Sequence, residues 1–196
     1  MRIDHVLYAV SDLDAGAARV EEELGLAALP GGQHPAWGTA NRIVQLGPDY
    51  LELVGVVDER TAARSDFGRL VLGAGDGLIG WAVATEDIDA VAGRLKLTVE
   101  PGSRTRPDGL ELAWRLAGVT EALRSGGTLP FFIQWDGAEE LHPGGDPGAP
   151  AGISWVEVAG DVEALREWLG AAELPVRFAA EGSGITAAGI REGVLV

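Results

Sequence analysis

SDLDA, residues 11–15, follows the apolar run HVLYAV, and the same phrase returns as EDIDA at 86–90 and GDVEA at 160–164. The aspartates at 12, 87 and 161 recur at intervals of 75 and 74 residues. A short apolar strand stands before each: HVLYAV, GWAVAT and SWVEVA. After each, apolar residues return at helical spacing: Leu13, Ala17, Val20 and Leu24, then Ile88, Val91 and Leu95, then Val162, Leu165, Trp168 and Leu169. Each aspartate falls where an N-cap belongs, with its carboxylate able to accept from the free amides of the first helical turn. The three phrases read as strand-to-helix corners.

Downstream of the first corner, a helix ends near Gly25 and GGQHPAWG carries turn signals. Two strand-like runs follow, TANRIVQLG and DYLELVGVV, with Gly47-Pro48 between them. The second copy continues as LTVEPGSRTRPDG, LELAWRLAG and LPFFIQWDG. Gly32-Gln33-His34 falls opposite Gly102-Ser103-Arg104, and Leu46-Gly47 opposite Leu116-Ala117. Both copies thus read as βαβββ modules, the first at about 1–60 and the second at about 77–137. The third, 152–196, has a strand, a shorter helix, PVRFAAE and GITAAGI, which makes it a truncated βαββ unit. The period is too long for a solenoid, and duplication of a module implies an α+β fold. LHPGGDPGAPAG, 141–152, reads as a loop, and 61–77 as a partly helical connection. Trp81 and Trp155 align with each other and with Val6, so both read as core.

The chain has 196 residues, 46% of them hydrophobic, enough to bury a proper core. Fifteen basic against thirty acidic residues give a net charge of −15, which repels phosphate backbones and anionic lipid surfaces. Nucleic acid and membranes are therefore not expected partners. The absence of cysteine excludes a disulfide framework, a thiol nucleophile and a cysteine-based zinc site. No leader-like N-terminus or membrane-length apolar run is seen, and the expectation is a cytoplasmic protein. Walker, GxGxxG, GxSxG and HExxH motifs are absent.

Tandem βαβββ modules opening with IDHVLYAVSDLDA resemble the vicinal oxygen chelate superfamily of glyoxalase I, extradiol dioxygenases and bleomycin-binding proteins. PGGQHPAWGTANRIVQLGPDYLELVGV, with LPFFIQWDG and a later His-Pro, is similar to its glyoxalase-like domain group. The resemblance covers residues 3 to about 145 and, more loosely, the C-terminal third. It implies a glyoxalase-like domain over 1–145 whose two modules curl into half-barrels around a shared cavity, with the third unit packed on it. It also implies a divalent metal (Fe, Mn, Ni or Zn) held from the first and fourth strands of each module, which places His5 and Glu52 as ligands. The second-module counterparts are Gly80, which offers no donor, and Gln134, a weak one. Two readings stay open: a metal-dependent lyase, isomerase or ring-cleaving dioxygenase, or a metal-free protein that sequesters a small molecule.

Glu52 is the candidate general base if no metal binds. His34 is a candidate proton shuttle or ligand contact, because an imidazole can act either way near neutral pH. Arg104, opposite His34 in the second repeat, could fork onto a carboxylate or phosphate. Asn41 is a candidate for orienting a substrate carbonyl, Gln134 for hydrogen-bonding a small ligand in a metal-free pocket with His5 and Glu52, and Trp37 for an apolar wall. His142 is a loop histidine that a metal could recruit. A small-molecule ligand is the expected partner, and a homodimer through an exposed sheet edge is compatible with the fold.

Overall fold

The computed structural model describes residues 1–105, 109–137 and 141–196. The first module comprises β1 (Arg2–Ala9), α1 (Leu13–Leu24), β2 (Ala28–His34), β3 (Thr39–Gln45) and β4 (Tyr50–Val56). Two short helices, α2 (Glu59–Ala62) and α3 (Asp66–Ala74), lead to the second. That module comprises β5 (Gly77–Ala84), α4 (Ile88–Leu95), β6 (Val99–Thr105), β7 (Glu111–Ala117), α5 (Val119–Arg124) and β8 (Phe131–Asp136). The C-terminal unit comprises β9 (Ile153–Ala159), α6 (Val162–Leu169), β10 (Val176–Phe178), β11 (Gly184–Ile190) and the short β12 (Gly193–Leu195).

The repeated aspartates are N-caps. Asp12 accepts from the amides of Asp14 and Ala15, Asp87 from that of Ala90, and Asp161 from that of Ala164. Each carboxylate thereby satisfies donors that the helix itself leaves free. GGQHPAWG divides in two. Its first two glycines belong to β2, and the reversal is made by His34–Gly38, where the His34 carbonyl accepts from the amides of Trp37 and Gly38. Residues 106–108, near the end of LTVEPGSRTRPDG, lie outside the described residues.

Eight strands form one sheet in the order β2-β3-β4-β1-β5-β8-β7-β6. β1 and β5 pair antiparallel at its centre, with Val6 opposite Trp81, His5 opposite Ala82 and Leu7 opposite Gly80. A two-fold through the Val6–Trp81 pair therefore exchanges His5 with Gly80, as the repeat spacing predicts. Each central strand pairs in parallel with the last strand of its own module, β1 with β4 and β5 with β8. β2 and β6 stand at opposite ends of the strand order yet touch, so the sheet curls almost into a closed wall. The expected paired βαβββ modules are thus present, with α5 inserted between the third and fourth strands of the second.

The C-terminal unit forms a separate sheet, ordered β10-β9-β11-β12. Its hydrophobic side chains join the main core, where Val6, Trp81 and Phe132 cluster with Val156, Leu165 and Ile190. Polar contacts also hold the units together. The Asp49 carboxylate accepts from the Gly152 and Ile153 amides at 2.9 and 3.0 Å, and the Trp168 indole donates to the Pro130 carbonyl at 2.8 Å. Trp81 is a core residue, but Trp155 is not. Ile153 pairs with Ile190 and Trp155 with Gly189, which leaves Ser154 as an extra residue in β9. This bulge resets the alternation of side chains. Val156 takes the core position, and Trp155 lies half-buried beneath the Arg177 guanidinium, 3.8 Å from its ring centroid.

Candidate active site

Side chains on the inner face of the curled sheet surround a cavity of about 80 Å³. That is room for several waters or a compact organic group, since one water needs roughly 10–15 Å³ on such a measure. β1 contributes His5, β4 contributes Tyr50 and Glu52, and β3 contributes Asn41. His34 ends β2, and Arg104 approaches from β6. Aromatic walls come from Trp37, Phe67, Trp114, Phe131 and Trp135.

A polar chain runs through the first module. The Asn41 side-chain oxygen accepts from the Gly32 amide at 2.7 Å, and its nitrogen donates to Glu52 Oε1 at 2.6 Å. A Cβ on Gly31 would sit 2.0 Å from the Asn41 oxygen, so only glycine lets Asn41 lie this close to β2. Glu52 Oε2 faces His5 Nε2 at 3.7 Å, too long for a direct hydrogen bond. The other His5 nitrogen, Nδ1, lies 2.6 Å from Asp4 Oδ1.

Asp4 is the residue that sequence reasoning missed. In the β1–β5 register Ile3 pairs with Val83 and His5 with Ala82, which leaves Asp4 as an extra residue in a bulge. The bulge buries its carboxylate completely, and Oδ2 also meets Trp135 Nε1 at 3.1 Å and His142 Nε2 at 3.0 Å. Burial pushes the Asp4 carboxyl up, but hydrogen bonds from His142 and His5 outweigh it and hold the group well below the usual carboxylate range. An ionised carboxylate only accepts, so both imidazoles present an N–H to it. For His5 that places a proton on Nδ1 and turns Nε2 toward Glu52. His142 Nδ1 accepts from the Gly144 amide at 3.0 Å, so His142 carries its proton on Nε2. The one signal in the sequence was an acid beside a histidine within an otherwise apolar strand.

Tyr50 stacks on His5 with ring centroids 4.4 Å apart, and burial holds its hydroxyl well above the usual phenol range. His34 bonds through Nδ1 to the Thr39 hydroxyl at 3.0 Å and packs 5.4 Å from Trp37. Burial lowers its pKa; the Glu52 charge opposes this shift and the Arg104 charge adds to it. His34 is therefore a neutral imidazole at pH 7.

Of the candidates, His5, His34, Trp37, Asn41, Glu52 and Arg104 all line the cavity. Gln134 does not. Its oxygen accepts from the Ile88 amide and from Arg115 at 3.0 and 2.9 Å, and its nitrogen donates to the Glu86 carbonyl, which ties β8 to the start of α4. In the parallel register Leu7 pairs with Glu52 and Ala82 with Phe131, so the counterpart of Glu52 is Phe131. His142 is spent on Asp4 and does not line the cavity.

A model of the glyoxalase-like domain matches residues 3–174, most of the chain. The protein belongs to the glyoxalase-like domain family. No curated protein matches it in sequence. Among solved structures, a hypothetical protein from Staphylococcus aureus superposes with a TM-score of 0.74 at 17% identity, covering 98% of this chain and 97% of that one. A methylmalonyl-CoA epimerase variant from Streptomyces coelicolor, in complex with 2-nitronate-propionyl-CoA, gives 0.52 at 21% identity, covering 68% and 96%. The epimerase from Mycobacterium tuberculosis gives 0.51 at 19%, covering 71% and 90%. These likenesses show a shared fold.

The metal that the fold family implies can be tested against the donors present. This glyoxalase-like chain offers His5 and Glu52 from one module, while the symmetric positions hold Gly80 and Phe131, neither with a donor atom. Among the described residues no group of three or more histidines and acids is arranged to hold an ion. Two protein donors do not make a resident transition-metal site, whose usual complement is three or four. The residues therefore do not fit that metal.

Proposed function

We propose that this protein binds a small carbonyl compound in the cavity and moves a proton on it by general acid–base chemistry, with Glu52 as the base. One observation carries the reading. Glu52 is buried, with one oxygen pinned by Asn41 and the other directed toward His5, inside a largely apolar cavity shared with the neutral His34 and the cationic Arg104. A carboxylate fixed in this way can take a proton from carbon next to a carbonyl. The electron pair passes to the carbonyl oxygen, where hydrogen-bond donors such as Arg104 would hold the developing charge. The proton then returns from Glu52. Epimerisation at a stereocentre next to a thioester carbonyl can proceed by removing and returning a proton, so the names of the epimerases sharing this fold are in keeping with the step. A second reading, sequestration without turnover, draws support from Phe131, an inert wall at the position related to Glu52.

The experiment is incubation with a panel of 2-oxo acids and 2-substituted thioesters in D2O, following deuterium entry at carbon by proton NMR. Exchange in wild type that falls at least about a hundredfold in Glu52→Gln supports the base assignment. Binding without exchange in wild type would sink it in favour of sequestration.

A further inference from the structure

Arg104 is a cation without a hydrogen-bond or ion-pair partner among the described residues. Its Nη1 is buried, lines the cavity side of β6, and meets no hydrogen-bond acceptor among the described residues. The other buried guanidinium nitrogens without partners belong to Arg19 and Arg42, whose neighbouring nitrogens are bonded to Asp76 and Asp14. Arg104 forms no ion pair with any described residue, in a chain holding thirty acids against fifteen bases. Glu52, the acid in the same cavity, is committed to Asn41. Arg104 lies over Gly32, where an added Cβ would come into ordinary van der Waals contact, 3.4 Å from Cδ and Nη1. Its charge is felt by both His34 and Tyr50.

A buried donor left unpaired destabilises the fold, and a guanidinium fork matches a carboxylate. One cation near the negative Glu52 favours a monoanion over a doubly charged phosphate. Trp37, Trp114 and Trp135 offer flat apolar surface to the remainder of such a ligand. We propose that the cavity selects compact monoanionic carboxylates with a planar apolar body, and that Arg104 is the residue that reads the carboxylate. The proposal rests on the cavity being the ligand site, as argued for the proton-transfer reading.

The test compares benzoate, its neutral isostere benzamide and inorganic phosphate by saturation-transfer NMR and calorimetry, on wild type, Arg104→Met and Arg104→Lys. The expected result is benzoate binding about tenfold or more tighter than benzamide in wild type, with that preference lost in Arg104→Met and partly kept in Arg104→Lys. Unchanged benzamide affinity across the variants shows that the cavity is intact. Equal affinities for benzoate and benzamide in wild type, or tight benzoate binding by Arg104→Met, would overturn the carboxylate assignment while leaving the cavity a ligand site. Preference for phosphate would overturn it in favour of a different anion. No binding of benzoate or benzamide would overturn the planar ligand class, whereas deuterium exchange decides the proton-transfer reading separately.

Discussion

Replacing Asp4 should change both the stability of the protein and the protonation pattern of His5. The carboxylate is fully buried and receives hydrogens from His5 on one oxygen and from Trp135 and His142 on the other. Asp4→Ala leaves three buried donors without an acceptor. Each orphaned donor costs about 1–3 kcal/mol, and partial relaxation brings the expected loss to about 3–6 kcal/mol. Asp4→Asn is the sharper probe. Its amide oxygen can keep the Trp135 and His142 bonds, so the loss is that of charge assistance, about 1–2 kcal/mol. Its NH2 then faces His5 Nδ1, and two donors cannot share that contact. His5 resolves the conflict by moving its proton to Nε2, toward Glu52. Urea unfolding measures the first effect, and long-range proton–nitrogen NMR on 15N-histidine protein measures the second. With three histidines in the chain the spectrum is assignable by single substitutions. Asp4→Asn with stability within about 0.5 kcal/mol of wild type and an unchanged His5 pattern would refute the claim that Asp4 sets the tautomer.

Asp49→Ala removes the shared acceptor of the Gly152 and Ile153 amides, at a cost of about 1–3 kcal/mol, and should speed hydrogen exchange at those two amides. Unchanged exchange there would show that Asp49 does not pin the C-terminal unit. Gly38→Ala forces a side chain at φ +68°, with its Cβ 2.4 Å from the Asp58 carbonyl, and should cost about 1–3 kcal/mol and lower Tm by several degrees. A Tm equal to wild type would contradict that strain. For His34, burial depresses the folded pKa, so the unfolded chain takes up the proton first as pH falls. The contribution of neutral His34 is therefore complete above about pH 6.5 and is lost as pH falls through the lower, folded value. His34→Gln should flatten that part of the stability–pH profile, and equal slopes in the two proteins below pH 6.5 would exclude the effect.

The architecture was legible because it is written in local chemistry repeated three times. An aspartate after an apolar strand and before a helical period has one economical use, and all three serve it. His5 and Glu52 were placed by the family resemblance, and His34 and Arg104 were set opposite each other by the repeat alignment; all four line the cavity. What escaped depended on register. Gln134 was assigned as the counterpart of Glu52, but α5 lengthens the second module just before its last strand, and fixed spacing fails beyond it. In a strand a one-residue error also exchanges inside for outside. Asp4 and Trp155 escaped for a related reason, since each lies at or next to a β-bulge, and no residue pattern announced either bulge. The role of the glycine pair in PGGQH is a matter of close approach to Asn41, which composition does not encode.

The duplicated modules have divided the work of the cavity between them. The first supplies the hydrogen-bonded chain from Gly32 through Asn41 to Glu52, then across a 3.7 Å gap to His5 and Asp4. The second supplies a cation and aromatic surface, with Arg104, Trp114, Phe131 and Trp135. Steric crowding does not explain the missing second histidine, because a Cβ on Gly80 would meet only Leu7 Cδ1, at 3.9 Å. The difference lies in chemistry. A symmetric set of donors would face a central ion from both sides, whereas this arrangement opposes the Glu52 carboxylate on one side to the Arg104 charge on the other. On the proposed reading, such polarity would suit a ligand with two unlike ends, one giving up a proton and one carrying negative charge. Asn41 holds one oxygen of the buried Glu52 in place, which offsets part of the cost of that burial.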